Sequence, residues 1–122
     1  MIFEVWYYRT DPSNDSDTKP ELILVIGSDV NVTSIHYCTI SISSEQEKYD
    51  VVIDEKEAKT IGIAKTLVIK MAKIHTGPLE LLERKVGELP KELISVFIDQ
   101  YIAYQGALVA KMNATQRLAN RR

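Results

Sequence analysis

The sequence predicts an α+β fold, in which an N-terminal four-stranded antiparallel sheet is followed by three C-terminal helices packed on one face, the last of them long. Up to residue 54, short apolar runs are separated by turn residues, which is typical of an antiparallel meander. From residue 55, apolar residues recur every three or four positions, as in amphipathic helices. With 122 residues, 45% of them hydrophobic, we expect a single domain, 1–122, with a sheet half, 1–54, and a helical half, 55–122.

Four segments have the composition of strands. The first is rich in aromatic and β-branched residues, the second is a continuous apolar run that suits a central strand, and the third and fourth alternate. These predicted strands are residues 2–10, 21–26, 33–43 and 48–53. Between the first two, residues 11–20 combine Asp-Pro, Ser-Asn-Asp-Ser-Asp and Lys-Pro, which predicts a long loop.

The stretch 49–75 is the junction around which the chain is organised. Asp54 is a suitable N-cap, and Glu57 three residues later completes a capping box, so a helix is predicted over 55–74. After Thr76-Gly77-Pro78, a short helix is predicted over 79–86 and ends at Gly87. Pro90 then begins a helix that runs to about residue 119 and is about 45 Å long.

Charge and cysteine content limit the partners and the compartment. The net charge is −2, but residues 1–54 carry −7 and residues 55–122 carry +5. This asymmetry indicates either an electrostatic partner or attraction between the two halves. No unbroken apolar run is long enough to span a membrane, and the lone Cys38 forms no internal disulfide. We therefore expect a cytoplasmic protein with no membrane association.

The sequence contains no motif specific enough to predict catalysis, a metal or a cofactor. His36, Cys38 and His75 are the available zinc ligands, but a C-x-x-C pair and a fourth ligand are missing. His36 and Cys38 alternate in phase with Ile40 and Ile42, which favours a buried histidine and thiol. The expectation is a protein that is not an enzyme and needs no cofactor.

Aromatic residues of the predicted sheet suggest nucleic-acid binding. Trp6, Tyr8 and Tyr37 are placed on one open face, where unpaired bases would stack for about 1–3 kcal/mol each. The phosphates would be neutralised by Lys48, Lys56, Lys59 and Arg117. The leading hypothesis is a non-catalytic, dimeric protein that binds single-stranded nucleic acid. The alternatives are a homodimeric interaction or regulatory module without nucleic-acid binding and, third, a small-molecule enzyme.

The predicted organisation resembles the small single-stranded-DNA-binding proteins of archaea and their viruses, the ThermoDBP type in particular. The resemblance rests on the strand order, on the strand at 49–54 that runs into the helix at 55–74, and on the long final helix. It implies a four-stranded antiparallel sheet whose C-terminal helices help to form a dimer. It covers most of the chain in pattern only, and no site residue is carried over from it.

The final helix also predicts a dimer interface. Its C-terminal half should extend beyond the sheet that it covers, yet it keeps apolar residues that a lone solvated helix would not normally show. Two copies are expected to pair through Ala107, Leu108, Ala110, Met112 and Ala114. The alternative is a helix that breaks near Gly106 and folds back on its own sheet.

Overall fold

The computed structural model describes residues 1–9, 19–43 and 45–120. Most of the loop predicted over 11–20 therefore lies outside the described residues. A six-stranded antiparallel sheet has the order β4-β5-β3-β2-β1-β6. The strands are β1 (Glu4–Tyr8), β2 (Glu21–Ser28), β3 (Ser34–Ile42), β4 (Val51–Ile53), β5 (Leu67–Pro78) and β6 (Leu82–Glu88), and the helices are α1 (Glu55–Lys59) and α2 (Lys91–Asn120), with a 3₁₀ turn at Leu79–Leu81.

The sheet has two covered faces because apolar residues alternate along its strands. The helix face is packed by α1, α2 and the chain that follows α1, and its buried residues include Val5, Leu22, Leu24, Cys38, Ile40, Ile69, Met71, Leu93 and Phe97. We call the opposite side the aromatic face. It consists of Trp6, Tyr8, Ile23, Val25, Ile35 and Tyr37, with Leu79, Leu81 and Leu82 packed against them.

The start of the predicted first helix is confirmed, but its length is wrong. The backbone N–H of Glu57 donates to Asp54 Oδ1 at 2.7 Å, and the N–H of Asp54 donates back to Glu57 Oε1 at 3.4 Å, as a capping box requires. The helix ends at Lys59, and Gly62 then adopts a left-handed φ of 82°. Beyond it, Thr66–Ile69 is rich in β-branched residues, which favour the strand that forms there.

The predicted fold class is therefore wrong in its strand and helix count, although the protein is still α+β. The sheet has six strands instead of four, and α2 is the one long helix among the described residues. Residues 79–86, predicted as a helix, form the 3₁₀ turn and then β6, which pairs antiparallel with β1. Hydrogen bonding to the open edge of β1 outweighs the local helix preference of this segment.

The long final helix is confirmed, and it runs without a break through Gly106. Its N-terminal half buries Leu93 and Phe97, whereas residues 109–120 are all exposed. By length and composition alone α2 could cross a membrane, and 11% of its apolar stretch is buried, but one such helix is weak evidence for a membrane span. The expectation of no membrane-spanning segment was based on the absence of an unbroken apolar run. The composition of α2 limits that expectation.

The buried carboxylate of Asp50 links β5 to the turn before β4 through hydrogen bonds. Its Oδ1 accepts the backbone N–H of Met71 at 3.0 Å, and its Oδ2 accepts the backbone N–H of Glu47 at 2.9 Å. Lys70 Nζ lies 3.2 Å from Oδ2 and also donates to the carbonyl of Glu45. One carboxylate therefore satisfies two backbone donors and one ammonium where β5 leaves regular pairing with β3.

Replacing Asp50 by alanine should lower the free energy of unfolding by about 3–5 kcal/mol, because Lys70 would keep its largely buried charge without a partner. Urea denaturation measures this loss. Glu80→Ala, which removes an exposed carboxylate in the 3₁₀ turn, is the matched control and should change stability by less than about 0.5 kcal/mol. Equal stabilities for both variants would contradict this role of Asp50.

Candidate active site on the aromatic face

Three rings form a row across the aromatic face. Tyr8 on β1 lies 4.7 Å, centroid to centroid, from Tyr37 on β3, and Tyr37 lies 5.5 Å from His75 on β5. Tyr37 and His75 are directly paired in the β3–β5 register, so their side chains emerge on the same face. Tyr8 and Tyr37 are buried, whereas His75 is exposed. The row therefore runs from the sheet interior to an accessible imidazole.

Tyr8 is held in this row by a close approach of the backbone. Its hydroxyl donates to the carbonyl of Pro78 at 2.9 Å. Gly77 is required beside it, because a Cβ at that position would collide with the Tyr8 hydroxyl. Burial, with a smaller contribution from Tyr37, raises the pKa of Tyr8 to about 12. The phenol therefore stays protonated and serves as a hydrogen-bond donor.

Two groups able to transfer protons lie near the ring row: His75, whose ring lies 5.5 Å from that of Tyr37, and Glu21, which pairs with Tyr8 across β1 and β2. Burial first, and then the negative charge of Glu21, raise the pKa of the Tyr37 phenol. Glu21 is exposed at the start of β2, and His75 approaches the same ring from β5. A carboxylate and an imidazole are the side chains that most often act as general base and general acid. Together with the neutral phenols of the ring row, they form a candidate site for proton transfer.

Trp6 and Thr39 continue the aromatic face on either side of Ile23. Trp6 pairs with Ile23 on β2, and Ile23 pairs with Thr39 on β3. The indole N–H of Trp6 donates to Glu4 Oε1 at 3.0 Å, and Lys85 Nζ lies 2.9 Å from Glu4 Oε2. These contacts orient the half-buried indole. Trp6 and the half-buried hydroxyl of Thr39 thus border the candidate site.

The structure brings the predicted aromatic residues together but separates them from the predicted cations. Trp6, Tyr8 and Tyr37 share the aromatic face, although burial of the two tyrosines leaves Trp6 the most accessible of the three. Lys48 lies 5.4 Å from the ring of Tyr49, which contacts Tyr104 of α2. The other predicted cations are exposed and lie outside the aromatic face. They are Lys56 and Lys59 of α1 and Arg117 in the last turn of α2.

The three zinc ligands that we considered do not converge. His36 Nδ1 lies 2.8 Å from Thr76 Oγ1, and this pair is one residue away from the Tyr37–His75 pair. Because side chains alternate along a strand, His36 and His75 point to opposite faces. Cys38 is buried, which raises the pKa of its thiol to about 12. Within the described ranges, no group of three metal-ligating side chains exists.

Sequence reasoning missed Glu21 and His75 as partners. The predicted helix 55–74 ends next to His75, and at a helix end the imidazole would not face Tyr37. The β-branched residues within Thr66–Ile69 are the sequence feature that indicates a strand leading to His75. Glu21 opens a predicted strand, but its position opposite Tyr8 depends on the β1–β2 register.

Comparison with known proteins identifies the fold. No family model and no curated protein sequence matches the chain. Among solved structures, the toxin MazF-mt6 of Mycobacterium tuberculosis matches with a TM-score of 0.64 and 16% identity, covering 80% of this chain and 91% of that one. An endoribonuclease in complex with its cognate antitoxin, from a mycobacterial species, matches with a TM-score of 0.63 and 10% identity, covering 87% and 94%. A third structure, an M. tuberculosis toxin, has a TM-score of 0.61, 14% identity and coverages of 80% and 94%.

The fold is that of these toxins. The resemblance to ThermoDBP-type proteins is therefore wrong, since it depended on a four-stranded sheet and three helices. The same finding contradicts the hypothesis of a non-catalytic, single-stranded nucleic-acid-binding protein and the expectation that the chain is not an enzyme, because one of these structures is an endoribonuclease. The alternative hypothesis of a homodimeric interaction module gains no better support.

The close approach at Gly77 can be tested by a double-mutant cycle. Gly77→Ala should lower the free energy of unfolding by about 1–3 kcal/mol, because the added methyl group collides with the Tyr8 hydroxyl. Tyr8→Phe alone should cost about 0.5–1.5 kcal/mol through the lost hydrogen bond to Pro78. In the Tyr8→Phe background Gly77→Ala should cost less than in the wild type. Strictly additive losses in urea denaturation would contradict the contact.

Proposed function

We propose that this chain is an endoribonuclease that cleaves single-stranded RNA on the aromatic face. In this reaction the 2′-oxygen of a ribose attacks the adjacent phosphorus, and the bond from phosphorus to the 5′-oxygen breaks. A general base removes the proton of the 2′-hydroxyl, and a general acid supplies a proton to the departing 5′-oxygen. The products are a 2′,3′-cyclic phosphate and a free 5′-hydroxyl.

The observation that carries this proposal is the row of Tyr8, Tyr37 and His75 on the aromatic face, with Glu21 paired with Tyr8 at the start of β2. We assign Glu21 and His75 the two proton transfers, while the protonated phenol of Tyr37 contacts His75 from the buried side. The shared fold with an endoribonuclease supports the choice of substrate. The reaction requires a 2′-hydroxyl, so the same site would leave DNA intact.

Binding of the RNA strand requires stacking and cations. Trp6, at the edge of the face, is the aromatic residue available to a base, and such a stack contributes about 1–3 kcal/mol. Lys73, two residues from His75 on β5, and Lys19, which precedes β2, are exposed and available to the nearest phosphates. Lys48, Lys56, Lys59 and Arg117 remain predicted contacts for more distant phosphates. The proposed compartment is the cytoplasm, where single-stranded RNA is available.

His75→Gln should lower the rate of RNA cleavage by about 10²–10⁴-fold, because glutamine cannot exchange a proton at this position. The rate is measured with an end-labelled single-stranded RNA, and the products are tested for cyclic phosphate. His36→Gln is the matched control: it alters the other histidine of the chain, which points to the opposite face, and should leave the rate within about twofold.

Two results would overturn the proposal. One is the absence of cleavage by the folded wild-type protein on single-stranded RNA of mixed sequence. The other is an equal loss of activity in His75→Gln and His36→Gln, since that would separate the chemistry from the aromatic face. Cleavage of DNA of the same sequence would exclude attack by the 2′-hydroxyl.

A further inference from the structure

A cluster of charged side chains surrounds Trp6 at the β1–β6 edge of the aromatic face. Trp6 is paired directly with Lys85, and Glu4 is paired with Glu88, so the four side chains emerge on the same face. Lys85 Nζ lies 2.9 Å from Glu4 Oε2 and 3.2 Å from Glu88 Oε1. The half-buried indole is therefore bordered by one ammonium and two carboxylates.

The charge of this cluster disfavours a phosphate as its ligand. Two carboxylates outnumber the one ammonium, and the hydrogen bonds from Lys85 first, and then from Trp6, lower the pKa of Glu4. Glu4 therefore stays ionised, and the cluster repels a second anion. An uncharged base meets no such repulsion and gains the face of the indole. The part of a nucleotide that fits here is the base.

The ion pair between Lys85 and Glu88 keeps hydrogen-bonding capacity for a ligand. An ammonium has three N–H donors, and Lys85 directs two of them at Glu4 and Glu88, so the third is free for an acceptor. Glu88 is exposed, with 71% of its side chain accessible, and its carboxylate can accept more than the one bond from Lys85. The pair therefore presents a donor beside an acceptor, 3.2 Å apart.

The backbone under this pair is fixed before any ligand binds. Gly87 lies so close to Ile61 that a Cβ at position 87 would collide with its side chain. The backbone N–H of Leu89 donates to the carbonyl of Phe3 at 2.8 Å, which anchors the end of β6 to β1. The indole is held by its 3.0 Å hydrogen bond to Glu4. A ligand therefore meets groups that are already in place, which lowers the entropic cost of binding.

We propose that Glu4, Trp6, Lys85 and Glu88 form a subsite for a guanine base of the RNA strand. The base stacks on Trp6, Lys85 donates to its O6, and Glu88 accepts from its N1–H and its 2-amino group. Among the four bases, guanine alone has an acceptor beside two adjacent donors, so it alone offers Glu88 a bidentate contact. Adenine and cytosine offer one amino group, and uracil offers one N–H. Glu4 is a positioning residue that holds both Trp6 and Lys85.

This inference rests on the proposed function only for the class of ligand, a single strand of RNA. Trp6 on β1 is three strands away from His75 on β5, which is about 14 Å. The guanine therefore belongs to a nucleotide near the cleaved bond and not to the ribose that reacts. The subsite lies on the face of the sheet opposite to α2, so the residues predicted to pair two copies take no part in it. Those residues are Ala107, Leu108, Ala110, Met112 and Ala114.

Quenching of Trp6 fluorescence measures base selection directly, because Trp6 is the only tryptophan of the chain. The probes are uncleavable 2′-O-methyl oligouridylates whose central base is guanine, hypoxanthine, adenine, cytosine or uracil. The strand with guanine should bind about 5–100-fold more tightly than those with adenine, cytosine or uracil. Hypoxanthine lacks the 2-amino group and should bind about 3–10-fold less tightly than guanine.

Glu88→Ala should abolish this preference and bring the affinities for guanine and adenine to within about twofold of each other. Glu83→Ala is the matched control. It removes an exposed, ion-paired carboxylate of the same charge from the other end of β6, and it should keep the preference for guanine. Both variants should remain folded, because each changes an exposed side chain.

Three results would overturn the inference. They are affinities that do not depend on the central base, a guanine preference that survives Glu88→Ala, and an equal loss of preference in Glu83→Ala. Each of them would leave RNA cleavage, which is judged by His75→Gln, untouched. Conversely, a protein that selects guanine but does not cleave RNA would overturn the proposed function alone.

Discussion

The path of the chain from β5 to β6 constrains the rest of the structure. β5 pairs between β4 and β3, whereas β6 pairs with β1 at the opposite edge of the sheet. The connecting chain must therefore cross the aromatic face, and three contacts hold it there. The Tyr8 hydroxyl donates to Pro78, the backbone N–H of Leu79 donates to the carbonyl of Thr33 at 3.0 Å, and the backbone N–H of Arg9 donates to the carbonyl of Leu81 at 2.9 Å.

This crossing determines which part of the aromatic face is open. Leu79, Leu81 and Leu82 cover one end of the face and exclude water from Tyr8 and Tyr37. The raised pKa values of these two phenols follow from that burial. Trp6, Thr39 and His75 remain at least partly accessible at the other end. The face therefore has a closed end, which contains the buried phenols, and an open end with an exposed imidazole.

Sequence patterns predicted the first half of the fold well and the second half poorly. β1 to β4 were found because alternating or continuous apolar runs end at turn residues, and the capping box at Asp54 located the start of α1. The segment 60–88 was misassigned because Ile61, Val68 and Met71 are also spaced as on a helix face. Its strands pair with β3 and β1, which are distant in sequence, and that long-range hydrogen bonding leaves no local signal. The grouping of Trp6, Tyr8 and Tyr37 followed from alternation alone, but His75 joins them only through the β3–β5 register.

An NMR titration tests whether RNA binds the aromatic face. A 2′-O-methyl RNA strand cannot be cleaved at the modified sugars and reports binding without turnover. If RNA binds there, the largest chemical-shift changes should fall on the indole N–H of Trp6, on the His75 ring and on the backbone of Thr39. Changes confined to Lys48, to α1 and to Arg117, with the aromatic face unaffected, would contradict it.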